Sequence, residues 1–129
     1  MAFDLLQWSA RAYTTYHTWR RGEPVGTDAD GNKYYRDKRT AGTRRERRWV
    51  VYNGEDEASR VPPEWHAWLH RQRIDPPDPE KESPFRRPWV KEHVPNLTGT
   101  AGAYRPPGDV LRGGQRDRAT GDYEPWVPS

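Results

Sequence analysis

The sequence predicts a small α+β protein with a short N-terminal helix, a small antiparallel sheet and one further helix, followed by a long, extended, irregular C-terminal tail. Three observations predict it. Only 32% of the 129 residues are hydrophobic and sixteen are Leu, Ile, Val or Phe, which excludes a large aliphatic core. Asp30-Gly31 and Asn53-Gly54 are turn signals beside short runs of β-forming residues. Ten of the thirteen prolines lie between Pro76 and Pro128, interspersed with glycines, so long helices and strands are excluded there. The folded core is accordingly placed at residues 1–73 and the tail at residues 74–129.

Taken in order, residues 2–11 suit a short helix, because Phe3, Leu6 and Ala10 share a face while Asp4, Gln7 and Arg11 stay in water. Residues 13–19 are mostly aromatic or β-branched and predict a strand that Gly22 ends. Asp30-Gly31 predicts a two-residue type I′ hairpin between Val25 and Tyr34-Tyr35, and Arg47 to Tyr52 predicts the next strand. From Val61 the chain reads as a helix start: proline sits in the first turn, where its missing N–H costs nothing, and Glu64 suits the helix dipole. Trp65, Trp68 and Leu69 then share a face, so a helix of three or four turns caps the sheet. The tail is different. Ordering it costs about 1 kcal/mol or more per residue in backbone entropy. Burial of Phe85, Trp89, Tyr104, Tyr123, Trp126 and a few aliphatics within the tail does not offset that. Aromatic anchors are also foreign to a plain linker, so the tail is expected to order along another protein's surface.

Several function classes are excluded or left without support. The absence of cysteine rules out disulfides, thiolate catalysis and cysteine-ligated zinc or iron–sulfur clusters. The apolar runs are far shorter than the ~20 residues that span a bilayer. The N-terminus resembles neither a secretory signal nor an organelle presequence, so a mature start in a bacterial cytoplasm is expected. His66 and His70 stand at metal-ligand spacing, but Ala67 occupies the place of the zincin glutamate, and neither His17 nor His93 suggests a third ligand. Asp28 to Asn32 opens like a calcium loop, yet Lys33 and Arg39 stand where glycine and glutamate are required. The glycines near residues 99–102 and 113–114 lack a phosphate-loop lysine, and no nucleophile, base and orienter can be assembled. No catalytic residue, metal or cofactor is expected.

The net charge of +3 comes from one place: residues 36–48 hold seven Lys or Arg against Asp37 and Glu46. Within it, Arg44, Arg45, Arg47 and Arg48 beside Trp49 and Tyr52 fit an RNA-binding module, with arginine on phosphate and aromatics on bases. The same residue types are enriched at protein interfaces and suit acidic lipid headgroups.

Five segments carry a resemblance. They are Trp19-Arg20-Arg21-Gly22, Val25-Gly26 with Asp28, Gly31-Asn32 with Tyr34-Tyr35, Arg47-Arg48-Trp49-Val50 with Tyr52-Asn53-Gly54, and Val61-Pro62-Pro63-Glu64-Trp65-His66-Ala67-Trp68-Leu69-His70. In this order they resemble the seventeen-kilodalton accessory subunit family of respiratory complex I, the proton-pumping NADH:ubiquinone oxidoreductase. The tail, with His93 to Thr100, Ala103 to Gly108 and Ala119 to Trp126, looks like that of alphaproteobacterial members. Pro24 and Arg36 depart from the family pattern, which bears on local strand pairing.

The resemblance implies a subunit without redox centres, itself not an enzyme, on the hydrophilic arm near its junction with the membrane arm. Its partners would be the iron–sulfur and quinone-site subunits and neighbouring accessory subunits, with possible lipid headgroup contact and no nucleic acid. Its place would be peripheral, at the cytoplasmic face of the bacterial inner membrane. Candidate interface or core-anchor residues are Trp19, Tyr34, Tyr35, Arg44, Arg45, Arg47, Arg48, Trp49, Trp65, Trp68, Trp89, Tyr104, Tyr123 and Trp126. A transient assembly factor of the same family and an RNA-binding module are the alternative readings.

Overall fold

The computed structural model describes residues 2–84 and 86–128, apart from the side chains of residues 2–5 and 7. Phe85, counted above with the tail aromatics, lies outside the described residues, as does the side chain of Phe3 on the expected helix face. The described chain runs through helix α1 (Ala2–Arg21), strands β1 (Gly22–Thr27), β2 (Lys33–Asp37) and β3 (Arg48–Val51), a 3-10 turn at Ala58–Arg60, helix α2 (Pro63–Leu69) and a second 3-10 turn at Val110–Arg112. A division after Pro95 separates two compact units. The small α+β fold is the one expected, two helices with a three-stranded antiparallel sheet in the order β1-β2-β3.

Two expectations fail at the N-terminus. Residues 13–19 form no strand; they continue α1 to a full 20 residues. Strand propensity in Tyr13, Thr14, Thr15, Tyr16 and Thr18 is overridden because no breaker occurs before Gly22. The Thr14 and Thr15 hydroxyls also donate to the carbonyls of Ala10 and Arg11, at 2.9 and 2.8 Å, within the helix. Gly22 opens β1 instead of ending a strand. A Cβ there would lie 2.5 Å from the Thr18 carbonyl oxygen, so glycine lets the helix pass into the strand without a connecting loop.

The first hairpin also differs in detail. Thr27 pairs with Lys33, leaving residues 28–32 as a five-residue loop instead of a two-residue type I′ turn. Asp28 organises it: its carboxylate accepts from the backbone N–H groups of Asp30 and Asn32, from Asn32 Nδ2 and from the Tyr34 hydroxyl, all at 2.8–3.0 Å. Buried Asn32 then accepts from the Asn53 N–H at 2.9 Å, tying this loop to the one after β3. The register shifts between Pro24 and Gly26, a bulge that places proline on the edge strand, where its missing N–H is tolerated. Arg36 faces Glu23 across the strands and holds it through two bonds of 2.8 and 3.1 Å.

Strand alternation divides the sheet into two faces. Tyr34 pairs with Val50 on one, and Tyr35 with Trp49 on the other. The first carries the core: Tyr34, Val61, Trp65 and Trp68 are buried, with Val25, Val50, Tyr52 and Leu69 packed round them. Helix α2 is two turns long, shorter than expected. It ends because Arg71 turns left-handed (φ 60°), with the Gln72 N–H bonding the Ala67 carbonyl and the Arg71 N–H bonding that of Trp68.

Candidate functional site

Tyr34, Trp65 and Trp68 are anchors of the core. Tyr34 stacks on Trp65 with centroids 4.0 Å apart and planes 7° from parallel, while Trp68 meets both rings edge-on at 6.4 and 5.7 Å. Gly26 permits this, since the Trp65 ring passes where its Cβ would be. Burial, then the hydrogen bond to Asp28, pushes the Tyr34 phenol far above its ordinary value, so it remains a neutral donor.

The basic run is split by the tertiary structure. Arg48 turns inward: its guanidinium pairs with Glu46 at 2.6 Å and donates to the carbonyls of Trp68 and Arg73 at 2.7 and 2.8 Å. It also lies 4.6 Å above the Trp68 ring. Burial alone would raise the Glu46 carboxyl, but the Gly42 N–H and then Arg48 outweigh it and hold it below the ordinary carboxylate value. With Asp37 and Glu46 buried at its base, the loop between β2 and β3 turns Arg44, Arg45 and Arg47 out to solvent. Arg71 fastens its rim by donating to the carbonyls of Arg44 and Glu46.

On the opposite sheet face Tyr35 stacks on Trp49 at 6.2 Å, and the end of α1 covers them. The Trp49 indole N–H donates to Thr18 Oγ1 at 3.0 Å, and His17 meets the ring edge-on at 5.1 Å. Trp19 belongs elsewhere. It is 76% exposed and lines a shallow groove along the outer face of α1 with Trp8, Arg11, Ala12, Thr15 and Tyr16. A second depression, between α1, β3 and the end of α2, is lined by Tyr13, His17, Arg47, Trp49, Leu69 and Arg71, among others. Trp8, Tyr13 and Tyr16 were absent from the sequence-derived candidates. The signals that would have found them are two helical spacings, 8, 12, 16, 19 for Trp8 and Tyr16 and 13, 17 for Tyr13, both hidden by reading residues 13–19 as a strand.

Trp89 is exposed in the first unit, and Tyr104, Tyr123 and Trp126 are each more than 80% exposed in the second. That second unit is held by short-range devices. Asp109 caps the 3-10 turn by accepting from the Leu111 N–H at 2.7 Å, Arg116 pairs with Asp122, and Arg118 pairs with Glu124. The His66 and His70 rings lie 4.1 Å apart, and among the described residues no third ligand joins them.

The family profile described as NADH ubiquinone oxidoreductase subunit NDUFA12 matches residues 22–128, starting at the first residue of β1. The chain is 41% identical over 96 residues to NADH dehydrogenase (ubiquinone) 1 alpha subcomplex subunit 12 of Bos taurus, covering 67% of this chain and 64% of that one. It is 36% identical over 98 residues to the subunit of the same name in Dictyostelium discoideum, covering 73% and 68%. An uncharacterized protein of Rickettsia prowazekii is 38% identical over 47 residues, covering 36% of this chain and 47% of its own. The matched stretch therefore spans 64% and 68% of the two named subunits.

Proposed function

The chain belongs to the NADH ubiquinone oxidoreductase subunit NDUFA12 family, and on that premise we propose that it is a non-catalytic accessory subunit of an NADH:ubiquinone oxidoreductase. The observation that carries this reading is the reach of the family match, which continues to residue 128 through a tail with little regular secondary structure. Family sequence pattern retained over such a segment is what a docking strip requires, and its aromatics stand exposed as anchors. Residues 74–129 lie along partner subunits of the hydrophilic arm, close to its junction with the membrane arm. Tyr104, Tyr123 and Trp126 supply the contact in the second unit, and Arg44, Arg45 and Arg47 meet acidic partner surface. The complex stands at the cytoplasmic face of a bacterial inner membrane, and this subunit stabilises it or assists its assembly.

Mass spectrometry of native membrane complexes tests the assignment: the chain is expected in the purified, active oxidoreductase. Its presence on partial assemblies alone would replace the subunit reading with that of a transient assembly factor. Removing residues 100–129 is expected to weaken retention and to leave NADH oxidation intact. Loss of electron transfer from an otherwise complete complex would contradict a non-catalytic role.

A further inference from the structure

Helix α1 has two working sides. His17 and Thr18, near its C-terminal end, hold Trp49 of the sheet. The groove bearing Trp8, Ala12, Tyr16 and Trp19 lies nearly opposite, at about 160° around the helix axis for a repeat of about 3.6 residues per turn. Trp8 is 71% and Trp19 76% exposed, and eleven residues of helix set them about 16 Å apart on one line. Arg11 and Arg20 fall about 90° to either side of that line. Arg20 donates to the Tyr16 hydroxyl, which keeps its guanidinium beside the aromatic stripe. Among the described residues no carboxylate lines the groove.

We propose that α1 lies flat on an anionic lipid surface, with Trp8, Tyr16 and Trp19 set into the membrane–water interface and Arg11 and Arg20 on lipid phosphates. Indole and phenol rings favour that interface because their bodies are apolar and their N–H or O–H stays hydrated. The arginines complement an anionic headgroup layer at the depth the helix geometry requires. The described residues that line the groove include no Leu, Ile or Met, the anchors a helix-binding protein groove takes, and its large apolar side chains are all aromatic. A second copy packed against the same face would bring Arg11 and Arg20 against their own kind. No described helix is long and apolar enough to cross a membrane, so α1 lies on the surface. The proposal does not depend on the family-level function.

The test is co-sedimentation of the full chain with vesicles of phosphatidylcholine alone or mixed with phosphatidylglycerol. Binding is expected to the mixed vesicles and to fall as salt is raised. The double substitution Arg11→Gln/Arg20→Gln is expected to weaken it about thirty-fold, equivalent to about 1 kcal/mol per arginine near an anionic surface. Trp8→Ala/Trp19→Ala should weaken it by roughly tenfold or more. Circular dichroism unchanged by these exposed substitutions separates lost binding from lost fold. Failure of the parent chain to sediment with anionic vesicles, or equal binding by all three proteins, overturns the proposal. A photo-crosslinking residue at position 8 or 19 in native membranes provides a second readout: lipid adducts support the proposal, and a discrete protein adduct replaces the lipid with a protein groove. Absence of the chain from any oxidoreductase would defeat the proposed function and leave the vesicle result standing.

Discussion

Arg48 joins more of the first unit than any neighbouring arginine, and its removal should be severe. Its side chain and that of Glu46 retain only 9% and 8% of their exposure, so the carboxylate has little water to replace its partner. In Arg48→Ala, Glu46 keeps the 2.7 Å bond from the Gly42 N–H and the charge of Arg36, but loses its direct cationic partner. The Arg73 carbonyl loses its donor, and the Trp68 ring loses the cation above it. Breaking a buried pair from one side costs about 3–5 kcal/mol, chiefly because a charge is stranded. That is a large share of the roughly 5–15 kcal/mol by which a domain is stable. Urea unfolding of the full chain, followed by tryptophan fluorescence, measures it. The double substitution Glu46→Leu/Arg48→Met removes the stranded charge and should recover about half the loss. An unfolding free energy for Arg48→Ala within about 1 kcal/mol of the parent would refute the reasoning. So would a double variant no more stable than the single one, since the cost would then lie outside the ion pair.

Three further outcomes are expected. Because the Glu46 carboxyl is held below its ordinary value of 4.5 in the folded chain, its stabilisation is present above that pH and is lost as pH falls through the lower folded value. In acid titrations followed by near-UV circular dichroism, Glu46→Gln should lack this step. Gly26→Ala places a methyl group 2.7 Å from the Trp65 ring, which the stack on Tyr34 holds in place. It should cost about 1–3 kcal/mol in thermal or urea unfolding, as overpacking does. Arg71→Gly and Arg71→Ala both lose the bonds to the Arg44 and Glu46 carbonyls, but only glycine relieves the left-handed backbone at φ 60°. The glycine variant should therefore be about 1 kcal/mol more stable than the alanine variant, measured by the same urea unfolding.

Where structure depends on near neighbours in sequence, it was legible in the residues. The strands at Lys33–Asp37 and Arg48–Val51 follow from β-forming residues flanked by turn signals, and α2 follows from proline in its first turn with Trp65 and Trp68 one turn apart. Family membership was legible too, because a dense string of Trp, His and Pro is specific without any coordinates. Residues 13–19 misled because aromatic and threonine residues favour strands when taken alone, whereas a helix already running continues until something breaks it. The sequence by itself determined a small α+β core poor in aliphatics, lacking cysteine and followed by a proline-rich segment. Only the tertiary structure decided which aromatic or arginine faces inward. Arg48 is internal because folding brings it acceptors on Trp68 and Arg73, 20 and 25 residues away, while the side chains of Arg44, Arg45 and Arg47, chemically the same, meet none among the described residues and stay in water. Trp65 is buried by the ring of Tyr34, whereas Trp19, on the outer face of α1, has the tilted Tyr16 ring 6.1 Å away and stays exposed. Burial is a property of partners brought together by folding, and local residue type does not carry it.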